Sequence, residues 1–118
     1  MDHSITVIIL TYNSSKFITK TIESIIYQSI RPTKIIIVDD NSNDLTFLKK
    51  LIDEIKNDKF KNIELIANSQ NMGPGYNRNL GWSICNTEFI AFCDDDDVWH
   101  QDKLKYQLHI IKKKRLLS

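Results

Sequence analysis

The sequence lacks the features that would assign it to several large classes of protein. It has only two cysteines, Cys85 and Cys93. They form no CxxC pair and have no histidine at metal-ligand spacing, which excludes a disulfide framework and leaves them as small apolar core residues of a reducing compartment. There is no excess of either charge: 16 basic side chains face 15 acidic ones. A nucleic-acid partner therefore has no electrostatic footprint here. There is no long hydrophobic run, since the apolar stretch Ile5 to Leu10 is far too short to span a bilayer, and Met1-Asp2-His3-Ser4 offers no basic leader before it. A cytoplasmic protein is expected, so Asn13-Ser14-Ser15 is a chance match to a glycosylation acceptor. Internal repeats and low-complexity tracts are also missing, and residues 1–118 read as a single domain with enough chain for a real core.

What is present is an alternation of two periodicities. Ile5 to Leu10, Lys34 to Val38, Ile63 to Ala67 and Phe89 to Cys93 are apolar runs, mostly β-branched, as strands covered on both faces would be. Between them, Lys16 to Gln28 sets Ile18, Ile22, Ile25 and Ile26 at helical spacing, with Ser14 or Ser15 placed to cap the helix and Arg31-Pro32 ending it. Leu48, Leu51, Ile52 and Ile55 mark a second helix, after Asn43 or Asp44 as its cap. Tyr76, Leu80 and Ile84 mark a third, and Leu104, Leu108 and Ile111 a fourth that ends in Lys112, Lys113, Lys114 and Arg115. Four strands alternating with four helices predict an α/β fold, a mostly parallel sheet with helices on both faces.

In such a sheet the segments after each strand emerge along one rim, where ligands bind at the reversal of strand order. Thr11, Tyr12, Asn13, Asp39, Asp40, Asn68 and Asp94 to Asp97 are all expected there. Four adjacent carboxylates at the end of so apolar a strand make sense if a cation neutralises them, and Mg²⁺ or Mn²⁺ takes one or two carboxylates while phosphate oxygens and water fill the rest of its shell. Asp39 and Asp40 offer acceptors for the N–H groups of a base or the hydroxyls of a ribose. The loop Gly73-Pro74-Gly75, opening a helix, offers amides to a phosphate, with Arg78 adding a guanidinium. Asp39, Asn41 and Asn43 begin like a calcium loop, but Asp44 replaces its glycine and Lys50 its glutamate. Trp99 is expected to pack beneath the acidic turn.

Taken in order, four segments resemble glycosyltransferase family 2 and its GT-A fold, and the resemblance runs nearly end to end. They are Ile5 to Asn13, Ile36 to Ser42, Asn71-Met72-Gly73 through Arg78-Asn79-Leu80-Gly81, and Phe89 to Trp99 with its DXD-like aspartates. The resemblance implies transfer of a sugar from a nucleotide-diphospho-sugar donor, UDP-linked by preference, to a hydroxyl of a glycan or lipid-linked acceptor in polysaccharide biosynthesis, with inversion. It implies that Thr11, Tyr12 and Asn13 frame the nucleotide, that Asp39 contacts the base, and that Asp94 and Asp95 line the ribose and diphosphate. Asp96 is the implied metal ligand, with Asp94 as the alternative because the run of four leaves the register open by one residue. The family's general base is an acidic residue of a later segment, expected beyond Ser118. Two rivals stand beside this reading. One is a truncated nucleotide-binding or assembly module whose open face is covered by a second copy, a homodimer. The other is a phosphatase of the haloacid-dehalogenase type, with Asp94 as nucleophile and Asp96 as acid/base, a motif that normally opens its domain. The basic end of the last helix is the expected point of any peripheral contact with the inner face of a membrane.

Overall fold

The computed structural model describes residues 3–114, with side chains through residue 111. The basic run Lys112 to Arg115, on which the membrane contact rests, and Ser118 lie outside the described side chains. The elements run β1 (Ile5–Thr11), α1 (Ile18–Ile26), β2 (Lys34–Asp39), α2 (Leu45–Asp58), β3 (Ile63–Ala67), α3 (Pro74–Ile84), β4 (Phe89–Asp94) and α4 (Lys103–Lys114). The expected α/β order is therefore found. The sheet has the order β3-β2-β1-β4, and all three pairings are parallel. Strand order reverses between β1 and β4, because the chain steps outward from β1 to β3 and then returns to the other side of β1.

The two faces of the sheet are covered unequally. Val7, Ile9, Ile35 and Ile37 pack on Ile18, Ile22, Ile25 and Ile26 of α1, on Leu48, Ile52 and Ile55 of α2, and on Leu104 and Leu108 of α4. Ile8, Ile36 and Val38, one residue out of phase, form a smaller cluster with Leu80 of α3, Cys85 at its C-terminal end, and Leu10, Ile66 and Ile90 around them. Alternate residues of a strand point to opposite faces, so a run apolar at every position needs both layers. Cys93 is buried, and Trp99 joins the larger core beneath the acidic turn as expected. Burial, with the nearby carboxylates of Asp97 and Asp94, pushes the Cys93 thiol up to about 12, so it stays protonated and behaves as a core residue.

Two local expectations are corrected. No serine hydroxyl or aspartate caps α1 or α2: the Phe17 and Ile18 amides donate to the main-chain oxygen of Ser14, and Asp44 makes no side-chain capping bond. The Asp44 side chain instead accepts the Ser15 N–H of the neighbouring loop. In α3 the buried positions are Asn77 and Gly81, whereas Tyr76 and Ile84, expected on the inner face, are exposed. The reason is close approach: a Cβ built on Gly81 would lie 2.9 Å from Cγ2 and 3.1 Å from Cδ1 of the fully buried Ile8. Gly81→Val is accordingly expected to destabilise the fold by about 1–3 kcal/mol through overpacking. Urea unfolding checks this, and a midpoint equal to that of the wild type would show that α3 can lift off the sheet without cost.

Candidate functional site

The site forms at the C-terminal ends of β1, β2 and β4, where backbone pairing stops and side chains take over. Thr11 and Asp39 face each other across the last rung of β1 and β2. Asp39 is 0% exposed. Its Oδ1 accepts the hydroxyls of Thr11 (2.8 Å) and Ser42 (2.6 Å), and its Oδ2 accepts the Ser42 N–H (2.9 Å). The expected contact between Asp39 and a base is therefore not available in this arrangement, because the carboxylate points inward and its donors belong to the protein. From it a lacing spreads between two loops. Ser42 Oγ accepts the Asn13 N–H (2.8 Å), Asn13 Oδ1 accepts the Asn43 N–H (2.8 Å), and Asp44 Oδ2 accepts the Ser15 N–H (2.9 Å). Asn13 and Asn41 hold positive φ of 49° and 61° inside this lacing, a conformation that asparagine tolerates better than most residues.

Asp40 turns the other way. Its Oδ1 accepts the Met72 N–H (2.7 Å) and the Asn68 amide (3.2 Å), its Oδ2 accepts the Gly73 N–H (3.1 Å), and its main-chain oxygen accepts the Asn71 amide (2.6 Å). The loop before α3 is thus moored to β2, with Gly73 at φ 89° making the turn. The amides just before α3, expected to cradle a phosphate, instead donate to the Asp40 carboxylate, which also suits the positive end of the helix dipole. Burial acts to raise the Asp40 pKa, but hydrogen bonds from Met72, Asn68, Gly73 and Asn77 outweigh it and hold the carboxyl below its ordinary value of 3.8. A carboxylate has about four acceptor positions, and these bonds do not fill them all at a residue that also lines the cleft.

That cleft, about 290 Å³, is lined by Leu10, Thr11, Tyr12, Asp40, Asn77, Arg78, Asp94 and Asp95, with Pro74 at its edge. Of the expected site residues it gathers Thr11, Tyr12, Asp40, Arg78, Asp94 and Asp95. Asn13 lies in the lacing, Asp39 beneath it, and Asp96 is exposed outside the lining. Tyr12 is 53% exposed, and its backbone N–H donates to Asp95 Oδ2 (3.0 Å). Burial raises the Asp95 pKa above 3.8; the Tyr12 amide opposes this, and the Asp96 and Asp94 carboxylates reinforce it. Asn77, 2% exposed with its Oδ1 accepting the Asn68 amide (2.6 Å), lines the cleft and was not among the residues expected there. Its one available signal was a polar residue one position out of phase with the apparent apolar stripe of α3. A larger groove of about 710 Å³ runs along the unpaired edge of β4 past Trp82 and Phe92, and none of the cleft carboxylates lines it.

A parallel sheet with a polar cleft at its switch point is the arrangement in which open α/β domains bind their ligands. The chain belongs to glycosyl transferase family 2, whose family model matches residues 6–117. It is 32% identical over 112 residues to the amylovoran biosynthesis glycosyltransferase AmsB of Erwinia amylovora, covering 95% of this chain and 37% of that protein. It is 33% identical over 112 residues to the UDP-Glc:alpha-D-GlcNAc-diphosphoundecaprenol beta-1,3-glucosyltransferase WfaP of Escherichia coli, covering 95% and 43%. The chain thus spans about two fifths of the length of these curated relatives. Among solved structures, S. aureus TarS 1-349 in complex with UDP-GlcNAc superposes with a TM-score of 0.81 at 30% identity, covering 95% of this chain and 32% of that one. The fold, a GT-A fold, is shared also with the mannosyltransferase PcManGT from Pyrobaculum calidifontis in complex with GDP-Man and Mn2+, at a TM-score of 0.81 and 19% identity over 94% and 33% of the two chains. No helix among the described residues is long and apolar enough to cross a membrane.

Proposed function

We propose that the cleft at the β1–β4 switch point binds a nucleotide-diphospho-sugar, UDP-linked by preference, for inverting transfer of the sugar to an acceptor hydroxyl in polysaccharide assembly. The observation that carries this reading is the convergence of Tyr12, Asp40, Arg78, Asp94 and Asp95 on one cleft from four separate stretches of sequence, in a chain whose relatives include a UDP-glucose-dependent transferase. Asp40 presents its open acceptor position to a donor group of the base, the exposed Tyr12 ring offers a stacking face, and the Arg78 guanidinium faces the diphosphate.

Among the described residues no three His, Cys, Asp or Glu side chains cluster so as to hold a metal by themselves. That fits a Mn²⁺ or Mg²⁺ held by one or two carboxylates and otherwise by phosphate and water oxygens. The family resemblance assigns such an ion to Asp96, with Asp94 as the alternative; of the two, Asp94 lines the cleft and Asp96 stands exposed just outside its lining. A bound cation would supply charge neutralisation for the departing diphosphate. The protein's share is to keep the acidic turn and Arg78 on opposite sides of that charge and to keep the cleft narrow enough to displace water.

Calorimetry with UDP, with and without Mn²⁺, tests the proposal. Binding that strengthens with Mn²⁺ is expected, and no heat with UDP under either condition would refute it. The unpaired edge of β4 favours a second reading, a module that pairs with another copy. There Trp82 and Phe92 are exposed and stack at 6.4 Å, and an open apolar edge is a template for pairing. Sedimentation of the same samples decides it: a monomer at high concentration excludes self-association.

A further inference from the structure

Helix α1 carries a polar stripe that its apolar face does not explain. Thr21 and Ser24 stand three residues apart on one side of the helix, and Gln28, just past the Tyr27 C-cap, folds its side-chain amide back onto the Ser24 oxygen to continue the line. Thr21 is 0% and Gln28 3% exposed. Burying such groups costs free energy unless each finds a partner, and every partner beyond α1 lies in one segment, residues 95–104, which carries the chain from the acidic turn into α4. Thr21 Oγ1 donates to the main-chain oxygen of Asp95 (2.8 Å). Ser24 Oγ accepts the Trp99 N–H (3.1 Å) and donates to the Thr21 oxygen (2.7 Å). Gln28 Nε2 donates to the His100 oxygen (2.6 Å) and the Ser24 oxygen (3.1 Å), while its Oε1 accepts the Leu104 N–H (3.1 Å). The last of these satisfies one of the free amides at the start of α4.

We infer that Thr21, Ser24 and Gln28 are positioning residues for the acidic turn: they touch no donor, yet they fix where Asp95 stands. Apolar contact alone would let the 95–104 segment slide, whereas directional bonds at Asp95, Trp99, His100 and Leu104 set its register on α1. The chain of contacts reaches the cleft in two steps. Thr21 holds the Asp95 backbone, and the Asp95 carboxylate holds the Tyr12 amide (3.0 Å). The inference rests on the donor-binding reading, since a nucleotide diphosphate is what gives the placement of Asp95 its consequence.

Thr21→Val is the sharpest test, because it keeps the branched shape and removes the hydroxyl. Thr21→Ser restores the hydroxyl, and Gln28→Met probes the other end of the stripe. In titrations of UDP against a Mn²⁺ series, the Mn²⁺ concentration at half-maximal binding is expected to rise about tenfold in Thr21→Val, as for other groups that support metal-binding carboxylates, and to return toward wild type in Thr21→Ser. Metal-free UMP binding is expected to be unchanged. Amide hydrogen exchange should quicken in residues 95–104 and not in β1 or β2. Equal weakening of UMP and UDP would show a merely structural role and overturn the inference, as would an unchanged Mn²⁺ midpoint with unchanged exchange in both Thr21→Val and Gln28→Met. If the wild type binds UDP equally with and without Mn²⁺, the metal-linked part of the inference is overturned while the donor-binding reading stands; if it binds no UDP under either condition, the donor-binding reading falls and takes the functional part of the inference with it. Exchange confined to residues 95–104 would still establish the mooring.

Discussion

Asp39→Ala is expected to lower stability by about 3–5 kcal/mol, among the largest effects of any single substitution in the chain. The carboxylate is fully buried and accepts three hydrogen bonds from Thr11 and Ser42. Removing it leaves two hydroxyls and one amide N–H facing a small void, and each buried donor without a partner costs about 1–3 kcal/mol. The loss would then spread, since the Ser42 hydroxyl also accepts the Asn13 N–H, and Asn13 in turn holds Asn43. Two asparagines in the left-handed region persist only while their surroundings hold them there, so the 11–15 and 40–44 loops are expected to loosen together. Asp39→Asn keeps the volume but turns one acceptor into a donor facing donors, and should cost less, about 1–3 kcal/mol. Urea denaturation with unchanged m-value measures both. A cost for Asp39→Ala within about 0.5 kcal/mol, the range of an ordinary surface substitution, would mean that the clasp contributes nothing.

The fold was legible in the sequence wherever a physical period marked it. Ile5 to Leu10 and Lys34 to Val38 are apolar at nearly every position, which only a strand between two layers explains, and the segments after them had to emerge on one rim. Helix caps were not legible, because a cap is a competition: Ser14 meets the start of α1 through its main-chain oxygen, and the Asp44 carboxylate, suited to cap α2, accepts the Ser15 N–H of the other loop instead. The inner face of α3 was misread because its closest contact belongs to Gly81, which has no side chain for a hydrophobic pattern to register. Asp39 and Asp40 were both expected at the rim, and parity decides which of them reaches the cleft. Asp39 continues the face of Ile35 and Ile37, which lies under three helices, so it buries, and the next residue takes the opposite side. Thr21 and Gln28 carried no signal in the sequence, because nothing local distinguishes a polar side chain facing water from one facing backbone 72 to 76 residues away.

Asp40→Ala is expected to weaken UDP binding by about 2 kcal/mol or more, the cost of truncating a charged hydrogen-bonding partner, which is roughly thirtyfold in Kd. The substitution acts twice. It removes the acceptor that faces the cleft, and it frees the Met72 and Gly73 amides that moor the loop before α3, so Asn77 and Arg78 lose their fixed place at the cleft wall. Asp40→Asn separates the two effects: the amide retains one acceptor oxygen for the loop but carries no charge. Its pH dependence has a definite sign. Burial opposes the charged form, but the donors around Asp40 prevail and its folded pKa lies below 3.8, so its contribution to stability is complete above the ordinary carboxylate value and is lost as pH falls through the lower folded one. The stability gap between wild type and Asp40→Asn should therefore stay constant from neutrality down to the ordinary carboxylate range and close only below it. If the gap closed well above 3.8, the charge on Asp40 would have to be disfavoured by the fold, and the mooring of the α3 loop would have to come from Asn68 and Asn71 instead.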